Sequence, residues 1–291
     1  MRVLALAVKL LLAPGFVVGA SLVARRYGIQ VGGLVGGLPV VAGPILLVYA
    51  LAHGRDFAAG AAAGTLLGLV SLIAFVVVYG RLAGRLSWGA SMLAGWLAFA
   101  LATAIFGTLS PPLGVALVLA ALALGLGLAW VPRPRAGALA QHAPPAWDLP
   151  LRAACALALV LALTAVAGWL GPQLSGLLAP FPVITTVLAT FTHAQRGNDE
   201  LLRLLRGLIS GFGAFALFCF TLAISLHSLH TGAAFALATA LALLTQTLVL
   251  ALAERDDHDR AVSASTNTRS KNSSSGVTRS ASRITARTRD G

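Results

Sequence analysis

Charge is scarce in this 291-residue chain: Asp, Glu, Lys and Arg together make up 10% of it, against roughly 25% in a soluble domain. Acidic residues are the scarcest, nine in all. Asp56, Asp148, Asp199, Glu200 and Glu254 stand at the ends of apolar runs or in loops, and the rest lie beyond residue 255. No carboxylate is placed deep in an apolar run, which argues against the buried acid that proton-coupled carriers usually hold. Cysteine is limited to Cys155 and Cys219, both inside apolar runs. That excludes a disulfide framework and thiolate metal spacing, and leaves both as packing residues. His227 and His230 have no carboxylate or Cys beside them to complete a metal site. No phosphate loop, nucleophile–base pair or cofactor ligand set is present, so the pattern supports neither an enzyme nor a bound cofactor.

What is abundant is apolar: 58% of residues are hydrophobic and the mean hydropathy is +0.87. Runs of about 20 apolar residues need a bilayer to cover them. They are too long for barrel strands and do not alternate, so they must be helices. Nine spans are expected, near 3–24, 31–52, 58–80, 87–107, 112–131, 150–170, 174–194, 204–226 and 231–252. The N-terminal run resembles a signal peptide, but Lys9 interrupts it and it aligns with an internal helix, so a retained first span is expected.

The net charge of +12 comes largely from topology and from a tail, since eight of the 21 basic residues follow Ala253. The expected partner is therefore the lipid bilayer and not nucleic acid. Arg25, Arg26, Arg81, Arg85, Arg133, Arg135, Arg196, Arg203 and Arg206 fall on one side of the spans, and Arg2 and Arg55 on the other. By the positive-inside rule the N-terminus is outside and the C-terminus cytoplasmic, as expected for a multi-pass protein of a bacterial inner membrane.

The chain also repeats itself. Shifted by 143 without a gap, six of the seven glycines between 171 and 250 fall on Gly28, Gly33, Gly54, Gly64, Gly68 and Gly89, where the local glycine density would give about one or two. Asp199 falls on Asp56, Phe218 on Phe75, Pro182 on Pro39 and Arg152 on Lys9. Four spans plus one unpaired span place the second copy upside down. The expected fold class is thus an all-α polytopic membrane protein of about nine transmembrane helices, arranged as two inverted four-helix repeats plus one linking helix. The expected organisation is a first repeat over 1–110, a linking helix and Pro-rich cytoplasmic loop over 111–149, a second repeat over 150–255, and a disordered basic Ser/Thr-rich tail over 256–291.

Matching interruptions in two halves are the best sequence pointer to a transport site. Span two carries five glycines, Gly43 among them, with Pro39 and Pro44; span seven and its approach carry Pro180 and Pro182, then Thr185, Thr186, Thr190 and His193. Thr186, Thr190 and His193 recur at i, i+4 and i+7, one helical face. One reading is a pair of broken helices lining a central solute site. The other is close packing at glycine, kinks at proline and Thr hydroxyls bonded to their own helix. Gly60, Gly64, Gly68, Gly207 and Gly211 read as helix-contact stripes. Lys9 is the one cation well inside a span, either functional or snorkelling to the headgroups; Arg152 is expected to snorkel to the cytoplasmic side. Gln246 should face the bundle through an interhelical hydrogen bond. His53 and His193 mark the interface.

The phrase Gly37-Leu38-Pro39-Val40-Val41-Ala42-Gly43-Pro44, followed by Ala50-Leu51-Ala52-His53-Gly54, resembles small bacterial inner-membrane proteins of the GlpM type. Those are single four-helix units, and this chain resembles a fused duplicate of one, over roughly residues 9–107 and again over 152–250. The resemblance brings no site residues with it. The four-plus-one arrangement is similar to that of drug/metabolite transporters, although the buried Glu of small multidrug exporters has no counterpart here. The reading that follows is a transporter or permease of a small neutral or anionic solute; the rival is a membrane scaffold or regulatory partner of an envelope-biosynthesis complex. Nothing in the pattern specifies an oligomeric state.

Overall fold

A computed structural model describes residues 2–109, 111–135, 145–162 and 182–251, with side chains from residue 12 onward. Every regular element among them is a helix: α1 Arg2–Tyr27, α2 Ile29–Gly36, α3 Ala42–His53, α4 Arg55–Leu82, α5 Trp88–Phe106, α6 Leu113–Trp130, α7 over 148–162, α8 Val183–Arg196, α9 Asn198–Ser228 and α10 Thr231–Ala251. The chain forms two compact units, Met1–Gln246 and Thr247–Gly291. Of the second only the helical residues 247–251 are described. The end expected for span six, the start of span seven, the middle of the Pro-rich loop and the basic tail all lie outside the described residues.

Among the described residues five helices are long and apolar enough to cross a bilayer: α4, α5, α6, α9 and α10. They divide into inner and outer elements. Within their apolar windows α4 and α9 are 61% buried, whereas α5 and α6 are 17% buried. The outer helices turn apolar side chains outward at helical spacing, with Leu93, Leu97, Leu101 and Ile105 on α5 and Val115, Val118, Leu122 and Leu126 on α6. Such stripes suit lipid surroundings, because exposed leucines cost nothing against acyl chains. The core lies between α4 and α9, around Leu66, Phe75, Tyr79, Leu205, Leu208 and Phe212. Glycines let the outer helices approach it. A methyl group at Gly95 of α5 would meet the Phe75 ring at 2.8 Å, and one at Gly127 of α6 would meet Ile73 at 2.8 Å.

Contacts at the helix ends fix how the elements run. The Arg55 guanidinium donates to the Leu229 carbonyl at 3.2 Å, while a methyl at Gly84, past the other end of α4, would meet the Asn198 side chain at 3.6 Å. Helices α4 and α9 are therefore antiparallel. At the Asn198 end, arginines cap exposed carbonyls: Arg206 donates to Leu128 and Val131 of the α6 terminus, and Arg81 donates to the Trp130 carbonyl. These satisfy acceptors that a helix C-terminus leaves open.

Two of the tight links between helices are glycine-dependent. Gly54 between α3 and α4 has φ 91°, and Gly197 between α8 and α9 has φ 81°. Both lie in the region that excludes most side chains, and they are 143 residues apart, the period of the sequence repeat.

Candidate functional site

The interruption expected in span two is present. Helix α2 stops at Gly36 and α3 starts at Ala42. Proline explains the break. Pro39 has no N–H, so the Val35 carbonyl takes its hydrogen bond from Leu38 instead, at 3.0 Å. That withdraws the donor which the Leu34 carbonyl would have had in a continuous helix. Leu34 is bonded twice over in compensation, by the Gly37 amide at 3.2 Å and by the Gln246 side-chain amide of α10 at 2.7 Å. Gln246 is buried and makes the interhelical hydrogen bond expected of it. Pro44 falls in the first turn of α3, where a missing N–H costs least.

The segment is seated against α9 backbone to backbone. A methyl group at Gly207 would collide with the Gln30 carbonyl, and one at Gly211 with the Leu34 carbonyl; from the other side, Gly33 faces the Leu204 carbonyl and Gly37 lies against Gly211. Gly43 is looser, 3.5 Å from the Phe218 ring for an added methyl. Pro39 and Pro44 are half-buried in the turn and at the start of α3.

Helix α8 begins after the buried Pro182. Thr185 and Thr186 are buried. The Thr186 hydroxyl accepts a hydrogen bond from the Trp96 indole of α5 at 3.1 Å. His193 Nδ1 lies 3.4 Å from the Tyr79 hydroxyl of α4, and Thr190 lies beside the same hydroxyl. The Thr186–Thr190–His193 face is thus packed against α4 and α5. The end of α2 also reaches α8, with Gly36 against Leu188. His53 packs elsewhere, edge-on to the Tyr49 ring and tilted against Phe57. Lys9 falls within α1, and its side chain lies outside the described residues.

A second polar centre was not anticipated. Arg152 does not snorkel: it is buried with Asp148, to which it donates through Nε at 2.9 Å. Asp148 also accepts from Arg25 of α1 at 2.8 Å and from Gln195 of α8 at 2.8 Å. Arg152 lies over the Phe191 ring, 4.9 Å from its centroid. Burial pushes the Asp148 carboxyl up, but the hydrogen bonds from Arg25 and Arg152, the Arg152 charge and the Gln195 hydrogen bond outweigh it and hold the group below the usual carboxylate range. The i, i+4 spacing of Asp148 and Arg152 was a readable signal; Arg25 and Gln195, remote in sequence, supply what it could not show. The centre borders a cavity of about 20 Å³ between α1, α7 and α8. Among the described residues no group of three or more His, Cys, Asp or Glu is placed to hold a metal.

Comparison with protein-family models, with characterised proteins and with solved structures finds no match to this chain.

Proposed function

We propose that this chain is a bacterial inner-membrane transporter or permease of a small neutral or anionic solute, built as two inverted four-helix repeats joined by α6. The observation that carries the reading is the broken α2–α3 segment, whose Leu34 carbonyl is held by a buried glutamine from a helix of the other half. Non-helical backbone at membrane depth is tolerated only where protein or a cavity satisfies it, and transporters build their sites on such segments. The inverted arrangement is supported by two features. The repeat-equivalent helices α4 and α9 run antiparallel, and the repeat-equivalent hinges Gly54 and Gly197 lie at opposite ends of them. The basic residues Arg25, Arg81, Arg203 and Arg206 gather at the Gly197 end, which supports a cytoplasmic placement for it. The resemblance to the GlpM type, carried by residues 37–54, agrees with a duplicated inner-membrane unit.

A specific observation favours a second reading, a non-transporting scaffold or regulatory partner. The α2–α9 contact is closed glycine to backbone, without room for a solute. The two readings separate on flux. In proteoliposomes challenged with glycerol, urea, chloride and phosphate, the transport reading expects saturable flux of at least one solute. It also expects that flux to be lost in Gly43→Leu and Thr186→Val proteins that still insert and purify as one species. Absence of flux for the whole set, or misfolding of both variants, would favour the scaffold.

A further inference from the structure

The cavity between α1, α7 and α8 is lined by Ser21, Arg25, Asp148, Arg152, Thr192 and Arg196. Three guanidinium groups face one carboxylate there, an excess of two positive charges. Arg196 and Arg25 lie close enough to Arg152 to repel it. Arg152 is buried while Arg25 and Arg196 keep solvent contact, so solvent screens that repulsion only in part. Asp148 already accepts from Arg25, Arg152 and Gln195, and it cannot neutralise three cations. Ser21 supplies an independent sign of an occupant. Its hydroxyl is buried on the cavity wall with no hydrogen-bond partner among the described residues, and an orphaned buried hydroxyl is destabilising in the absence of a partner. Thr192, also buried, is a second hydroxyl on the same wall.

We propose that this cavity binds a monatomic inorganic anion, a halide of the size of chloride or bromide. A volume of about 20 Å³ is on the order of one or two water-sized bodies, which suits a monatomic anion better than a tetrahedral oxyanion. A water molecule would satisfy the hydroxyls but leave the excess charge standing. A halide does both, accepting from Ser21 and Thr192 while compensating the guanidinium groups. The polar lining groups come from three helices in both halves of the chain, Ser21 and Arg25 on α1, Asp148 and Arg152 on α7, and Thr192 and Arg196 on α8, with Ile29 of α2 and Leu204 of α9 as apolar walls. A bound halide therefore ties α1 to the α7–α8 pair.

The experiment uses the full chain in detergent, with thermal stability followed as chloride or bromide replaces gluconate at constant ionic strength. The expected result is a saturable rise in Tm with either halide and none with sulfate. Arg196→Gln, at a half-buried position outside the Asp148 ion pairs, is expected to weaken the apparent halide affinity by about tenfold or more. Ser21→Ala is expected to weaken it as well, with folding intact in gluconate. An equal response to sulfate, no halide response, or a halide response unchanged in Arg196→Gln would overturn the proposal. Binding is measured without flux, so failure here leaves the transport reading standing, and absence of flux leaves this site standing.

Discussion

Gly207 and Gly211 on α9 stand at the same i, i+4 spacing as Gly60 and Gly64 on α4, yet among the described residues the two pairs meet different surroundings. A methyl group on either α9 glycine would strike a backbone carbonyl of α2, whereas at Gly64, and at Gly60 one turn earlier, it would meet open space among the described residues. The spacing is the same in both helices, and among the described residues it is the α9 pair that a partner backbone meets. The α9 stripe is used because α2 offers glycines of its own, Gly33 and Gly37, and two backbones can then approach. A small-residue stripe marks where a helix can be approached, and the partner's sequence decides whether it is.

Several substitutions would break or sharpen that comparison. The largest effect is expected at Gly211. Gly211→Leu must push α2 off α9 at the point where the Leu34 carbonyl is bonded, and we expect a loss of about 4 kcal/mol or more, read as collapse of monodisperse protein in detergent. A folded Gly211→Leu protein would show that the α2–α9 approach is dispensable.

Asp148→Asn comes next, at about 3 kcal/mol, because it leaves the buried Arg152 without its charge partner. The pH dependence has a definite sign. The folded-state carboxyl is held below its unfolded value of 3.8, so its contribution is fully present above that value and is lost as pH falls through the folded one. The wild-type Tm should be insensitive to this group from neutral pH to about pH 5 and fall below about pH 4, and the Asn variant should lack that acid limb. An identical acid limb in both proteins would remove Asp148 from the account.

Gln246→Leu should cost about 1 kcal/mol, the value of one interhelical hydrogen bond in a membrane. The effect stays small because Gly37 still donates to the Leu34 carbonyl and because the Gln246 side-chain oxygen has no partner among the described residues. The smallest effect belongs to Gly64→Ala, within about 0.5 kcal/mol of wild type, measured as Tm in the same detergent. A Gly64→Ala loss as large as that at Gly211 would mean that the α4 stripe is also a contact.

These contrasts also show what could be read from the sequence. The break between α2 and α3 was legible because Pro39 removes a donor wherever it sits, and because five glycines weaken the same helix. The hinges at Gly54 and Gly197 were legible as a repeat pair, although their positive φ was not. Gln246 was legible because a lone amide in an apolar run must find a partner inside the bundle. The Arg152 centre was misjudged. An arginine near a helix start can snorkel, and only the three-dimensional arrival of Arg25 and Gln195 around Asp148 offsets the cost of burying it. The Thr186–Thr190–His193 face was found as a face, but its neighbours, Trp96 and Tyr79, belong to helices whose packing the periodicity does not specify.

The proposed architecture depends most heavily on the inversion of the two halves, and the repeat-equivalent aspartates test it directly. In a background with Cys155 and Cys219 replaced by alanine, Asp56→Cys and Asp199→Cys proteins can be labelled in intact cells with a membrane-impermeant thiol reagent. Inverted repeats predict that the Asp56→Cys protein reacts from outside, while the Asp199→Cys protein reacts only after the membrane is opened. Labelling of both proteins from the same side would contradict the inversion, and with it the proposed architecture.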